Sequence, residues 1–114
     1  MIINRGDVVL TDLEPVKGSE QGKIRPCLVI QNNLGNIASP TTIIASITTK
    51  AEREYPFMVK VEKGDGNLKE NSMVLCNQIR TISIKHRIIK KFGSLKPSTM
   101  RKVDEALKAS LALD

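Results

Sequence analysis

Short apolar or alternating runs, each closed by a cluster of turn residues, occupy most of the chain. No other feature constrains the fold as much. A period of two belongs to strands, and runs this short cannot build core helices. Phe57–Glu62 sets Phe57, Val59 and Val61 against Met58, Lys60 and Glu62, the pattern of a half-buried strand. Asp7–Leu13 reads as a first strand. Arg25–Gln31 reads as a second, nearly all apolar and therefore central. Thr41–Thr49, rich in Thr and Ile, is a third. Ser72–Ile82 is a fifth and Ile88–Leu95 a weaker sixth. A polar loop from Glu14 to Lys23 joins the first two strands and is longer than most hairpin loops, which points to function. Asn32–Asn36 and Lys63–Asn67 read as turns in which Gly or Asn takes positive φ.

The period changes near the end. Met100, Val103, Leu107 and Leu111 recur at helical spacing beside Ala106, and Pro97 suits a first helical turn. This predicts one amphipathic helix of about 24 Å lying on a sheet. The 114 residues therefore make a single domain, 1–114, of α+β class and mainly β. The expected form is a small antiparallel barrel or curled sheet with a C-terminal α-helix.

Charge gives the first functional hint. Eighteen Lys and Arg against twelve Asp and Glu leave a net +6 and a pI near 9.6. From Asn71 to Val103 there are eight basic residues and no acidic one, a surface that attracts polyanions. The plainer reading is a solvated basic face without a partner. No apolar run approaches the ~18 residues of a membrane span, and no secretory signal is visible, so a cytoplasmic protein is expected.

Much chemistry is missing. The sequence has no Walker loop, dinucleotide fingerprint, paired-His metal motif or nucleophile elbow. Cys27 and Cys76 lie in apolar runs and read as reduced core thiols, with no zinc-ligand spacing around them. His86, between Lys85 and Arg87, reads as a surface residue. Two polar segments remain. In Gly18-Ser19-Glu20-Gln21-Gly22-Lys23-Ile24-Arg25-Pro26, Arg25 stands extended before a proline at a strand mouth, where a guanidinium can grip a phosphate. Its plainer role is an ion pair with Glu20 or Asp7. In Ile47-Thr48-Thr49-Lys50, Thr48 is by default a strand former.

Arg5-Gly6-Asp7-Val8, the Gly18–Gly22 loop with Arg25-Pro26, Val29-Ile30-Gln31-Asn32, Ser39-Pro40-Thr41-Thr42-Ile43, Asn77-Gln78-Ile79-Arg80-Thr81-Ile82 and Val103-Asp104-Glu105-Ala106-Leu107 follow one another in order. In this combination the whole chain resembles the MazF/PemK family, the toxin half of bacterial toxin–antitoxin pairs. The resemblance implies a small SH3-like, CcdB-like barrel and a homodimer. It implies a sequence-specific endoribonuclease that needs no metal or cofactor and cuts single-stranded mRNA, arresting translation and growth. The partner it implies is an acidic MazE-like antitoxin, through which alone the toxin would reach DNA. It puts the catalytic roles on Arg25 and Thr48. Positions lining the RNA are Lys17, Ser19, Glu20, Gln21 and Lys23 of the loop and Gln78 and Arg80 of the fifth strand, with Lys85 and Arg87 on the basic face. Many members carry a second glycine after the one matching Gly22; this chain has Lys23.

RNA brings its own nucleophile, the 2′-hydroxyl, so the implied products are a 2′,3′-cyclic phosphate and a 5′-hydroxyl. Arg25 would stabilise the charge that develops on phosphorus, and the Thr48 hydroxyl would hold a phosphate oxygen or orient the 2′-hydroxyl. Aromatics are only 3% of the chain, few for a single-strand binder. Tyr55 can contact a base, though the core edge or solvent is its plainer place. Two other readings stay open: a non-catalytic toxin that binds a topoisomerase, and a plain RNA-binding barrel.

Overall fold

The computed structural model describes residues 1–51 and 53–114. The six predicted strands form within one or two residues of their expected ends. They are β1 (Asp7–Asp12), β2 (Ile24–Val29), β3 (Thr41–Thr48), β4 (Met58–Val61), β5 (Ser72–Ser83) and β6 (Ile88–Ser94). All ladders are antiparallel, in the order β4-β5-β3-β2-β1-β6. Cys27, Leu28 and Val29 of β2 are buried on both faces, as an interior strand requires.

The expected barrel is not closed. Its edge strands, β4 and β6, share no ladder, and the sheet curls instead. The gap is filled from outside the sheet. Val103 and Ala106 of α3 (Pro97–Leu111) meet Val59 and Val61 of β4, Val8 of β1, and Leu68 and Leu95 in one core. A 3-10 turn at Asp65–Asn67 lies against β6, and there Gly66 has φ 64°. A Cβ at Gly66 would come within 2.6 Å of Val8 Cγ2, so the turn approaches β1 too closely for any side chain. Of the predicted helical stripe, Val103 and Ala106 are buried and Met100 and Leu107 pack partly, while Leu111 stays exposed. A second core gathers Val9, Cys27, Val29, Ile44 and Ile82 on the other face. Both cysteines are free, and burial pushes the Cys27 thiol up to about 12 and Cys76 to about 11.

One local expectation is corrected. Asn32–Asn36 is no turn with positive φ: it opens a helix, α1 (Asn33–Ala38), whose Gly35 N–H donates to Asn32 Oδ1 at 2.7 Å. Asn36 is buried and accepts from the Thr42 hydroxyl at 2.7 Å, tying α1 to β3. Between β5 and β6, Ile84–Arg87 is a single helical turn, α2, capped by Ser83. The Lys63–Asn67 turn behaves as expected, with positive φ at Gly64, Gly66 and Asn67.

Candidate active site

The polar loop between β1 and β2 is stapled at its base by long-range donors. Arg80 Nη1 donates to the Leu13 carbonyl at 2.6 Å. Arg87 Nη1 donates to the carbonyls of Asp12 at 3.0 Å and Glu14 at 2.5 Å. Leu13 N–H donates to the Lys23 carbonyl, and Lys23 N–H to Glu14 Oε1 at 2.6 Å. Inside the loop, a Cβ on Gly22 would lie 2.6 Å from Val16 Cγ2 and 2.8 Å from Glu14 Oε1. Lys23 sits at φ 64°, the left-handed region that favours glycine.

Arg25 is half-buried at the start of β2. Its Nε donates to the Gly22 carbonyl at 2.8 Å and its Nη1 to Gln21 Oε1. The ion pair with Glu20 or Asp7 does not form. Glu20 Oε1 accepts from Lys17 N–H at 2.5 Å, and the buried Asp7 accepts from Asn4 N–H, the Ser94 hydroxyl and Lys91. Arg25 and Cys27 point to the same side of β2, and Cys27 is paired with Ser46 of β3. Ser46 and Thr48 likewise share a side of β3, so all four side chains lie along one face of the sheet. Thr48 is half-buried at the end of β3. Its Oγ1 accepts from Lys50 N–H at 3.1 Å.

The third contributor is β5. Its register against β3 jumps from Ala45 opposite Ile79 to Ser46 opposite Leu75, so Cys76, Asn77 and Gln78 bulge out of the ladder. The Cys76 side chain is pinned in the core and its N–H donates to the Phe57 carbonyl at 2.9 Å. Gln78 Oε1 accepts from Gln21 N–H at 3.4 Å. Two clefts flank Gln78. One, of ≈ 410 Å³, is lined by Glu20, Gln21, Ser46 and Arg80. The other, of ≈ 380 Å³, is lined by Thr48, Lys50, Tyr55, Phe57 and Asn77.

The structure thus brings together Glu20, Gln21, Arg25, Thr48, Gln78 and Arg80. Lys17, Ser19 and Lys23 are exposed on the loop, and Lys85 is exposed on α2. Arg87, expected on an RNA-facing surface, is half-buried and holds loop carbonyls through Nη1. The eight-cation run does not form one surface, because the chain reverses twice within it. Arg80 and Arg87 hold the loop, Lys85 is exposed on α2, Lys90 and Lys91 lie on β6, and Lys96, Arg101 and Lys102 belong to α3 or its start. His86 is exposed, as expected. Ser46 and Asn77 are additional lining residues. Ser46 follows from Thr48 by the period of two, whereas nothing in the alternation announces a three-residue bulge. Among the described residues no group of three His, Cys, Asp or Glu side chains gathers, and no helix is long and apolar enough to cross a membrane.

Comparison with known proteins gives consistent matches over this whole architecture. Residues 4–111 match the family described as PemK-like, MazF-like toxin of type II toxin–antitoxin system. The chain is 48% identical over 114 residues to Endoribonuclease EndoA of Bacillus subtilis (strain 168), covering 99% of this chain and 97% of that protein. It is similar to an endoribonuclease from a mycobacterial species solved in complex with its cognate antitoxin. That match has a TM-score of 0.82 at 25% identity over 98% of this chain and 97% of that one. MazF from Deinococcus radiodurans shares the fold with a TM-score of 0.84 at 22% identity, covering 99% of each chain.

Proposed function

The chain belongs to the PemK-like, MazF-like toxins of type II toxin–antitoxin systems and is an endoribonuclease toxin; on that footing we propose that it cuts single-stranded mRNA by attack of the RNA's own 2′-hydroxyl, leaving a 2′,3′-cyclic phosphate and a 5′-hydroxyl. The observation that carries this reading is the sharing of one sheet face by Arg25 and Thr48, next to a loop rich in donors. Such a site needs no protein nucleophile. It has to hold a phosphate, neutralise charge as the phosphorane forms, and fix the 2′-hydroxyl in line. In-line positioning removes much of the entropic barrier. A guanidinium aimed at the developing charge lowers the barrier further, by an amount typically ~3–4 kcal/mol for one well-placed donor.

Arg25 fits the charge-stabilising role. Its donors go to Gln21 Oε1 and the Gly22 carbonyl, both neutral acceptors that a dianionic phosphorane outcompetes. The Thr48 hydroxyl accepts from Lys50 N–H at 3.1 Å and donates to the Lys50 carbonyl at 3.4 Å, a long bond that its proton exchanges for one to a phosphate oxygen. Ser19, Glu20, Gln21 and Gln78 offer donors and acceptors for base edges, and Lys17, Lys23 and Lys85 offer charge for phosphates. Arg80 and Arg87 act by holding the loop base, and Arg80 also lines the cleft beside Ser46. The toxin works as a cytoplasmic homodimer. An acidic MazE-like antitoxin inhibits it by covering the loop, and DNA is reached only through that antitoxin.

The test is incubation of a defined single-stranded RNA with the purified chain in EDTA, beside the Arg25→Ala variant. Cleavage by the parent alone, with 5′-hydroxyl ends, supports the reading. Binding without cleavage returns the chain to an RNA-binding barrel. Intact, unbound RNA points instead to a toxin that acts by binding a protein.

A further inference from the structure

The cleft lined by Thr48 holds the chain's one tyrosine. The Tyr55 ring is stacked on Phe57 with centroids 5.1 Å apart and planes 6° apart, and Tyr55 remains 45% exposed. Phe57 is half-buried against the main core, which gives the pair a fixed backing. An aromatic pair normally buries its faces. Here one ring is backed by the other while the residue stays substantially open to solvent. Across the same cleft, Asn77 stands on the β5 bulge. Its side chain is exposed and has no hydrogen-bond partner among the described residues. Lys50 and Arg53 add two cations to the wall. An aromatic shelf, a free carboxamide and cations beside a reactive-site hydroxyl are the parts that recognise an unpaired nucleobase by stacking, edge reading and phosphate attraction.

We propose that this cleft is a nucleobase subsite: one base next to the scissile phosphate lies on the Tyr55–Phe57 stack, and the Asn77 carboxamide reads its edge. The inference rests on the ribonuclease reading above and deepens it by naming a subsite that determines specificity. The β5 bulge explains the geometry. A regular strand would alternate Asn77 and Gln78 across the sheet, whereas the bulge turns both toward the clefts flanking Thr48 and Ser46. A carboxamide both donates and accepts, so it can pair bidentately with adenine. A carboxylate only accepts, and it favours bases that present an amino group without an adjacent acceptor requirement, such as cytosine.

Two measurements test this, and only one requires cleavage. First, a randomised single-stranded RNA pool is digested and its 5′-hydroxyl ends are sequenced. Asn77→Asp should change the preferred base at one position next to the cut and leave the other positions as in the parent. Tyr55→Ala should raise KM about tenfold with little change in the rate at saturating RNA, and Tyr55→Phe should recover the loss, because stacking needs the ring and not its hydroxyl. Second, the chain has no tryptophan, so its tyrosine fluorescence reports Tyr55 alone. Adding RNA to the Arg25→Ala protein should quench it, and Tyr55→Ala should bind the same RNA more weakly. An unchanged cleavage motif in both Asn77→Asp and Asn77→Ala overturns the edge-reading role. A saturable binding curve with unquenched tyrosine overturns the shelf. Quenching without any cleavage by the parent leaves the subsite standing and removes the nuclease reading.

Discussion

Arg25 and Thr48 stand at matched positions where two strands part. The β2–β3 ladder runs from Val29 opposite Ile44 to Cys27 opposite Ser46 and stops. Carried two residues further, the same register sets Arg25 opposite Thr48. Main-chain pairing has ended there, so a cationic fork and a hydroxyl flank an opening in the sheet itself. Both are anchored by backbone that the sheet keeps in place up to the preceding pair.

Arg25→Ala is expected to fold normally, because the side chain bonds only to Gln21 and Gly22 of the loop. Its single-turnover cleavage rate should fall by about 10²–10³. Arg25→Lys should recover little, since a point charge lacks the planar fork. Circular dichroism and a gel-based cleavage assay check both. A rate within a few-fold of the parent would remove Arg25 from the chemistry.

Thr48→Val keeps strand propensity and volume but loses the hydroxyl. It should slow the saturated rate by about tenfold or more while RNA affinity changes little, since affinity comes mainly from phosphate contacts. The hydroxyl also anchors Lys50 N–H, so Thr48→Val alone confuses two roles. Thr48→Ser is the control for the hydroxyl itself: it retains both functions and should cut at near the parent rate.

Lys23 at φ 64° offers a balance of terms. Replacing it by Gly relieves ~1 kcal/mol of left-handed strain but adds ~0.4–1 kcal/mol of unfolded-state entropy. Thermal stability should therefore barely move. Lys23→Val, stiff at the Cβ, should cost ~1–2 kcal/mol. If Lys23 also contacts a phosphate, the slope of log affinity against log salt should fall by about one in Lys23→Gly.

Helix α3 starts at Lys96-Pro97 without a capping side chain of its own, and Asp65 supplies one from the 3-10 turn. Asp65 Oδ1 accepts from Lys96 N–H at 2.9 Å and Oδ2 from the Thr99 hydroxyl at 2.6 Å. Asp65→Ala should lower unfolding free energy by about 1–2 kcal/mol, read as a shift in the urea midpoint. Cleavage per folded molecule should be unchanged.

The two thiols give a pH dependence. Burial raises Cys27 to about 12 and Cys76 to about 11 from an ordinary value of 9.0. The folded chain therefore holds these protons to higher pH than the unfolded chain does. This contribution to stability is complete below about pH 9 and is lost as pH climbs toward 11–12. Iodoacetamide at pH 8 should leave both cysteines unmodified until urea unfolds the chain; rapid native labelling would contradict the burial.

Strands were legible where side chains alternate, as at Met58–Val61, because burial of one face is written into consecutive residues. Helix α1 was obscured by Gly35 and by Leu34 and Ile37, which are exposed and give no core-facing stripe. Its one sequence signal, the Asn32 cap, looks the same as a turn residue. Arg25 and Thr48 could be proposed from the ordered motifs, yet their shared register could not. The roles of Arg80 and Arg87 were hidden for a different reason: the carbonyls they hold lie 67 to 75 residues away in the chain. Charge is visible in sequence, whereas the acceptor that consumes it is not.

Among the described residues β4 and β6 pair with no further strand on their outer sides, although Asn67 Nδ2 takes up the Phe92 carbonyl of β6 at 2.7 Å, and an open edge is a template for another strand. A protein whose six strands all pair antiparallel would be at risk of stacking edge to edge when it accumulates. β4 is only four residues long and carries the exposed Lys60, while β6 carries Lys90 and Lys91 side by side. Adding a further strand at either edge would bury ammonium groups or bring like charges together. Part of the positive charge that first suggests a polyanion ligand thus sits where it disfavours edge-to-edge strand pairing.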